Sequence, residues 1–395
     1  MKVALVGVPN SGKSTFLKAA TLADVETNNY PFTTIEKNES IGYVRVKCAC
    51  EELDKECNPR KGMCIGGTRF IPIKMVDVAG LVPGAHKGKG LGNQFLDDLR
   101  DAPALIHVLD ASGRTDNKGE QAEDFDPYES VKTLEEELDF WFLNIFNREW
   151  NKLKNKVEIE HKDFEKQMLS RFSGLNINKY HLHKAIEVSD VNTERLSSWD
   201  KDDKLRFVKF LRRISKPVLI AANNVDLKSS EENIEELKKK TDEEIIPCCT
   251  EAELTLRKAH EDGFIKYIPG DNEFEIVDSE GLSEKQEKAL NFIKKDVLDN
   301  FGSTGVQESI NKIFFDLLGM IVVYPVENEN KWTDKKENVL PDAHLVKKGT
   351  TAEELAFKIH SDIGEDFIGA INAKTGRKIG ANYELKNGDV IKILT

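Results

Sequence analysis

The sequence predicts an α/β fold in which a doubly wound, mostly parallel sheet is joined to an inserted helical domain and a small C-terminal β domain. Three observations lead to this prediction. A glycine-rich loop, Gly7–Ser14, directly follows the apolar run Val3–Val6. Two later apolar runs end in polar motifs, at Asp77 and at Asn223–Asp226. Between 129 and 215, apolar residues recur at helical spacing with almost no glycine.

Length and composition limit the classes of protein that need to be considered. A chain of 395 residues is expected to form two or three domains. Its net charge of −12 argues against DNA as a partner, since a non-specific DNA binder carries a basic surface. No apolar run is long enough to cross a membrane, and the chain opens without the pattern of a signal peptide. With only six cysteines, we expect a reducing, cytoplasmic location.

The first motif, Gly7–Ser14, reads G-V-P-N-S-G-K-S and matches the phosphate-binding pattern G-x-x-x-x-G-K-[ST]. Its glycines allow backbone N–H groups to point at a triphosphate beside the positive end of a helix. Lys13 is predicted to contact the β- and γ-phosphates, and Ser14 to bind Mg²⁺. The predicted nucleotide-binding residues of this segment are Gly7, Pro9, Asn10, Ser11, Gly12, Lys13, Ser14 and Thr15.

Two further segments are predicted to complete the phosphate and metal site. The loop segment Tyr30–Thr34 offers the hydroxyl of Thr33 or Thr34 to Mg²⁺ when a γ-phosphate is present, and we favour Thr34. Asp77 ends an apolar strand and is a third Mg²⁺ ligand, and the backbone of Gly80 can contact the γ-phosphate. Threonines are common in loops, so the interpretation of Tyr30–Thr34 depends on the neighbouring motifs. The predicted catalytic residues are Lys13, Asn10, Thr34 and Gly80.

A third pair of segments is predicted to select the base. In N-x-x-D, Asp226 can accept two hydrogen bonds from guanine, whereas adenine would leave the carboxylate unpaired. Asn223 is expected to connect this loop to Gly7–Ser14. Asn224 stands where a lysine is usual, so one contact with the base is lost. Cys249 and Thr250 follow the next apolar strand and are expected to bring backbone N–H groups to guanine O6.

Together these motifs resemble the Obg-type translation-factor GTPases. The carrying residues are Gly7–Ser14, Asn29–Thr34 and Asp77–Leu81, and the run Gly84–Leu96 is similar to the hallmark of the YchF subfamily, also called Obg-like ATPases. The resemblance covers nearly the whole chain and is strongest to the archaeal branch. It implies Mg²⁺ as cofactor, a purine nucleotide as ligand, slow hydrolysis, and association with the ribosome and its RNA.

The resemblance leaves the choice of nucleotide open. Many members carry N-x-x-E and prefer ATP, whereas Asp226 favours GTP and GDP here. An ATP-preferring hydrolase and a nucleotide-binding scaffold with negligible turnover are therefore the alternatives. A small-molecule kinase with the same phosphate loop would leave Asn223 and Asp226 unexplained. Leu81 replaces the glutamine that orients water in Ras-type enzymes, and Asn10 either helps to hold a K⁺ ion or only braces its loop.

Four cysteines raise the question of a metal. Cys48, Cys50, Cys57 and Cys64 lie within 17 residues, and four thiolates can hold zinc tetrahedrally. Their spacing lacks the paired C-x-x-C of common zinc sites. We therefore expect no zinc and interpret these cysteines as incidental small residues of a hairpin.

The domain limits follow from composition. Residues 1–128 and 216–318 are predicted to form a discontinuous GTP-binding domain. Residues 129–215 are predicted to form an inserted helical hairpin or antiparallel coiled coil, and a basic concentration over 201–216 is either a solvated face or an RNA contact. Residues 319–395 resemble the TGS domain, a β-grasp module.

Overall fold

The computed structural model describes residues 1–21, 38–53, 55–78, 84 and 99–395. Its strands are β1 (Lys2–Val6), β2 (Glu39–Lys47), β3 (Met63–Ile65), β4 (Thr68–Asp77), β5 (Leu105–Asp110), β6 (Val218–Asn223), β7 (Glu244–Pro247), β8 (Ile265–Lys266), β9 (Glu275–Ile276), β10 (Met320–Val326), β11 (His344–Lys347), β12 (Gly369–Asn372), β13 (Arg377–Ile379) and β14 (Asp389–Leu394).

The described α-helices are α1 (Lys13–Ala20), α2 (Tyr128–Lys154), α3 (Phe164–Phe172), α4 (Lys179–Ser189), α5 (Lys201–Ser215), α6 (Ser229–Lys240), α7 (Thr250–Glu261), α8 (Glu284–Phe292), α9 (Asp299–Phe301), α10 (Val306–Lys312), α11 (Ala352–Ile359) and α12 (Ser361–Glu365). Single π-helical segments continue α2, α8 and α10 over Asn155–Ile159, Ile293–Leu298 and Ile313–Leu317. Among the helices of these described ranges, none is long and apolar enough to cross a bilayer.

The main sheet confirms the predicted doubly wound, mostly parallel architecture. Its strand order is β2-β4-β1-β5-β6-β7, with β3 paired to β4. The five strands from β4 to β7 run parallel, and β2 runs antiparallel to β4 at the edge. Since β1, β4, β5 and β6 end at one edge of the sheet, the residues that follow them converge there.

Burial explains why the central strand β6 could be predicted from the sequence. Every residue of β5 and β6 is buried, because helices cover both faces of the parallel sheet. Such strands appear as continuous apolar runs rather than alternating ones. His107 is the one polar side chain inside β5, and the polar residues Asp110 and Asn223 end the two strands and lie side by side in their register.

The inserted region differs from the predicted hairpin. The long helix α2 packs against α5, and two shorter helices, α3 and α4, lie between them along the chain. Polar residues interrupt the helical segment because their side chains accept backbone N–H groups at three new helix starts: Asp163, Asn178 and Asp200. Aromatic residues fill the core, with Phe146 contacting Trp150, Trp199 and Phe207.

The C-terminal region forms the small mixed sheet that was expected there. Its strand order is β11-β10-β14-β12-β13, in which β10 and β14 are parallel and the other neighbours are antiparallel. Helix α11 is preceded by Thr351, whose hydroxyl accepts the N–H of Glu354 in a capping box. Strands β11 and β13 are short and were not predicted.

Candidate functional site

The phosphate loop has a backbone that only glycine adopts without strain at two positions. Gly7 has φ +148° and Gly12 has φ +96°. A Cβ at Gly12 would lie 2.2 Å from the side-chain amide nitrogen of Asn223, and a Cβ at Gly7 would lie 2.3 Å from the carbonyl oxygen of Val108. The two glycines therefore permit both the turn and its close contact with the neighbouring strands.

Lys13 is held beneath this loop at the start of α1. Its side chain is buried, and Nζ donates to the carbonyl oxygen of Val8 at 2.9 Å. The hydroxyl of Ser11 donates to the same oxygen at 3.0 Å. Burial lowers the pKa of Lys13, and the nearby Asp77 carboxylate opposes that shift. A bound phosphate would supply the negative charge that the buried ammonium group lacks.

Two of the three predicted Mg²⁺ ligands lie together. The Ser14 hydroxyl and Oδ2 of Asp77 are 3.5 Å apart, at the limit of a hydrogen bond. A hydroxyl and a carboxylate are both oxygen donors, which Mg²⁺ prefers, so these residues fit the ion. Thr34 and Gly80, together with Leu81, lie outside the described residues, and their roles stay predictions.

Asn223 connects the loop expected to select the base to the phosphate loop. Its amide nitrogen donates to the carbonyl oxygen of Ser11 at 3.4 Å. Its amide oxygen accepts the N–H of Thr250 at 3.2 Å and the Thr250 hydroxyl at 3.1 Å. One buried side chain thus joins the loops that follow β1, β6 and β7; the sequence predicted its link to Gly7–Ser14, and its contact with a base stays a prediction.

Asp226 and Cys249 also meet at this edge. The Cys249 thiol donates to Oδ1 of Asp226 at 3.4 Å. Burial raises the pKa of Cys249 to about 12, and the Asp226 carboxylate contributes to that increase. The thiol therefore stays protonated at neutral pH and orients the carboxylate. Because a thiol is a weak donor, a base with two N–H groups can compete for the same carboxylate.

Asp110 was not among the predicted site residues. Its Oδ1 accepts the side-chain amide of Asn224 at 2.8 Å, and Ser112 donates to the same oxygen through its N–H and hydroxyl. Asn224, at the position of the usual lysine, is therefore turned toward β5. The sequence shows Asp110 at the end of an apolar run, but its meeting with Asn224 depends on the pairing of β5 with β6.

The loop that contains Gly119, which the sequence did not indicate, lies against the phosphate loop. The side-chain amide nitrogen of Asn10 donates to the carbonyl oxygen of Gly119 at 2.9 Å. A Cβ at Gly119 would lie 2.6 Å from the carbonyl oxygen of Pro9, so the two loops are in close contact. Asn10 braces its loop through its nitrogen. Its oxygen is the atom that would bind a cation.

Lys216 holds the turn formed by residues 99–102, which precedes β5. Its Nζ donates to the carbonyl oxygens of Leu99, Arg100 and Ala102 at 3.0, 2.9 and 2.7 Å. The side chain is fully buried, and burial lowers the pKa of Lys216 to about 7. The sequence places this lysine among the basic residues of 201–216, because a lysine at the end of an amphipathic helix ordinarily faces solvent.

Comparisons with known proteins agree with this geometry. Residues 2–143 match the family described as a 50S ribosome-binding GTPase, residues 221–328 match the "Obg-like GTPase YGR210-like, G4 motif-containing domain", and residues 336–395 match the TGS domain. A GTP-binding protein of Methanocaldococcus jannaschii is 50% identical over 394 residues, which cover 100% of this chain and 98% of the relative. The protein named ribosome-binding ATPase YchF in Bacillus subtilis is 29% identical, over 98% of this chain and 97% of that one.

The chain belongs to the YchF subfamily of the Obg-like GTPases. It is thus a nucleoside triphosphate hydrolase of the P-loop class. A solved GTP-binding protein of Pyrococcus horikoshii matches this YchF protein with a TM-score of 0.79 and 39% identity, and all of both chains is covered. The YchF GTPase of Schizosaccharomyces pombe has the same fold, with a TM-score of 0.60 and 18% identity over 100% of this chain and 97% of that one.

Proposed function

We propose that this YchF protein binds guanine nucleotides in preference to adenine nucleotides, hydrolyses GTP slowly, and acts as a nucleotide-dependent switch on the ribosome. The single observation that supports the choice of base is the Asp226 carboxylate, which the Cys249 thiol orients at the edge where β6 and β7 end. The Asn223 network joins this loop to the phosphate loop, so base and phosphates would occupy one continuous site.

Hydrogen-bond energetics favour GTP at such a carboxylate. Guanine offers it two N–H donors, and a hydrogen bond to a charged group contributes about 1.5–3 kcal/mol. Adenine offers no donor pair at the corresponding edge and would leave the Asp226 carboxylate desolvated and unpaired. We therefore expect GTP and GDP to bind at least about a hundredfold more tightly than ATP and ADP, since each 1.4 kcal/mol corresponds to tenfold.

The residues of the phosphate site support slow hydrolysis. Lys13 would neutralise phosphate charge, and Ser14 and Asp77 would hold Mg²⁺, which supplies further charge stabilisation when bound. Thr34 and Gly80 are proposed to add contacts to the metal and the γ-phosphate. Leu81 cannot orient water, so we propose that Asn10 helps to bind K⁺ through its amide oxygen and that this ion raises the otherwise low rate.

The names of relatives support the ribosome as a partner, whereas the basic residues of α5 give little support. Several relatives are named ribosome-binding ATPase. On α5, by contrast, Arg212 is buried, Arg206 pairs with Asp203, and Lys204 lies over the ring of Trp150. Fewer cations are left free for RNA phosphate than the sequence of 201–216 indicated, which makes α5 a weaker candidate for the contact surface.

Calorimetry on nucleotide-free protein with GTP, GDP, ATP and ADP tests the choice of base. Asp226→Glu should lower GTP affinity by about tenfold or more, because the longer side chain displaces the carboxylate. Asp262→Glu, the same exchange at the exposed end of α7, is the matched control and should leave all four affinities unchanged. Tighter binding of ATP than GTP by the natural sequence would overturn the proposal in favour of an ATPase of the same family.

Steady-state hydrolysis tests the switch. Phosphate release should be slow for the isolated protein and should rise when ribosomes and K⁺ are added. Na⁺ in place of K⁺ is the control for the ion, and Asn10→Ala should remove the difference between the two salts. A rate that neither ribosomes nor K⁺ change would leave a nucleotide-binding scaffold as the better description.

A further inference from the structure

The four cysteines that the sequence left as incidental come together in the fold. Cys48 follows β2, Cys50 lies in a 3-10 turn over Ala49–Leu53, and Cys64 lies in β3. The sulfur atoms of Cys48, Cys50, Cys57 and Cys64 all lie within 4.8 Å of one another. This convergence depends on the pairing of β3 and β2 with the same strand, β4, which no local spacing records.

The distances fit four ligands of one metal ion. Sγ of Cys48 lies 3.8 Å from Sγ of Cys57, and Sγ of Cys50 lies 3.8 Å from Sγ of Cys64. A tetrahedral zinc–thiolate site with bonds of about 2.3 Å separates its sulfurs by about 3.8 Å. A disulfide requires about 2.05 Å, and each of these cysteines is a free thiol. Clusters of several irons spread their cysteine sulfurs further apart than a single ion does.

A buried cation beside the cluster supplies an independent observation. Arg69 of β4 is fully buried and donates to the carbonyl oxygens of Leu340 and Pro341 at 3.0 and 3.2 Å. Its Nη1 also lies 3.5 Å from the sulfur of Cys57. None of the ion pairs in the described part of the chain includes Arg69. A buried guanidinium needs a counter-charge, and neutral thiols provide none, whereas a divalent ion with four thiolates carries a net charge of −2.

The surroundings of the cluster are those of a structural metal site. Cys48 and Cys50 are buried in the core that packs against β10, whereas Cys57 and Cys64 are half-buried. A pocket of about 510 Å³ leads to Cys50, Cys57 and Cys64, and Lys55 lies in its wall. An ion can thus enter from one side, while four protein ligands would leave no open position for catalysis.

We propose that Cys48, Cys50, Cys57 and Cys64 bind one Zn²⁺ ion tetrahedrally and that this ion fastens the GTP-binding domain to the C-terminal domain. The segment that carries Cys57 already contacts the C-terminal domain through its backbone. Asn58 donates its N–H to Val339 and Arg60 donates to Pro341, each at 2.8 Å. The ion would hold this segment in place and balance the charge of Arg69.

Metal content of the purified full-length protein tests the proposal. Elemental analysis should find about one zinc per chain in the natural sequence, and Cys57→Ser should lose most of it. Cys248→Ser is the matched control, because Cys248 is a buried cysteine outside the cluster and its loss should leave zinc unchanged. Cys64→Ser serves as the second variant if Cys57→Ser does not fold.

Cobalt exchange adds a readout that needs no variant. Co²⁺ bound to the reduced natural protein should give the intense red-region ligand-field bands and near-ultraviolet charge-transfer bands of tetrahedral thiolate coordination. Substoichiometric zinc together with no such bands would overturn the proposal, and so would iron in place of zinc. Two disulfides, detected as a mass lower by four hydrogens than that of the reduced chain, would overturn it as well.

Discussion

The buried ion pair between α2 and α5 gives the sharpest stability prediction. Nε of Arg212 donates to Oδ1 of Asp139 at 2.9 Å, and both side chains are almost fully buried. Lys209 approaches the other carboxylate oxygen at 3.8 Å but is half-exposed. Because the two cations share one acidic partner and differ in burial, Lys209 is a matched control for Arg212.

Removing Arg212 should cost far more than removing Lys209. Arg212→Met leaves the buried Asp139 carboxylate without its buried partner and with only Lys209 at 3.8 Å, and such a loss typically costs about 3–5 kcal/mol. Lys209→Met removes an exposed ion pair, which contributes about 0–1 kcal/mol. With a urea m-value of about 2 kcal/mol/M, the unfolding midpoint should fall by about 1.5–2.5 M for the first variant and by less than about 0.5 M for the second.

Tryptophan fluorescence during urea unfolding is the appropriate assay. Three of the four tryptophans, Trp141, Trp150 and Trp199, lie in the helical region from α2 to α5, so the signal reports this region above all. Arg212→Met combined with Asp139→Leu should recover most of the lost stability, since no buried charge is then left alone. Equal midpoint shifts for Arg212→Met and Lys209→Met would refute the reasoning from burial.

Two further predictions concern Gly12 of the phosphate loop and His107 of the central strand β5. Gly12→Ala should abolish nucleotide binding measured by calorimetry, because its Cβ would collide with Asn223. Gly263→Ala is the control: it places alanine at a similar positive φ in open space, and this variant should bind nucleotide normally. Normal binding by Gly12→Ala would contradict the close packing of Gly12 against Asn223. Burial lowers the pKa of His107 to about 3 in the folded protein, compared with 6.5 in the unfolded chain. The neutral side chain therefore makes its full contribution to the free energy of unfolding above pH 6.5, and this contribution is lost as the pH falls toward 3. Between pH 7.5 and 5 the natural protein should lose about 2 kcal/mol more unfolding free energy than His107→Gln, and parallel pH profiles would show that His107 has no such role.

The sequence predicted the features that depend on neighbours along the chain. A continuous apolar run identified β6, because a parallel sheet covered on both faces buries every residue of a central strand. The Gly7–Ser14 motif placed the turn before α1. Asn223 could be paired with Gly7–Ser14 in advance, because parallel strands of one sheet, here β1 and β6 with β5 between them, end at the same edge.

Features that depend on strand register or on burial of charge were not predictable in the same way. The meeting of Asn224 with Asp110 requires the order of β5 and β6. Arg212 and Lys216 appeared as part of a basic surface because sequence shows charge but not the partner that buries it. The four-cysteine cluster was discounted because its ligands are brought together by hairpin pairing and not by the short spacing of common zinc sites.

The hydrophobic core among helices α2 to α5 is continuous with the core of the main sheet. The cluster around Phe146 and Trp199 continues to Ala4, Val6 and Val76 on the strands beside the phosphate loop. Deleting residues 129–215 would therefore expose to solvent the apolar side chains of the strands that carry the nucleotide motifs. A truncated protein that lost GTP binding would say nothing about a role of the inserted helices in recognition, and their function is better probed by changes on their outer surface.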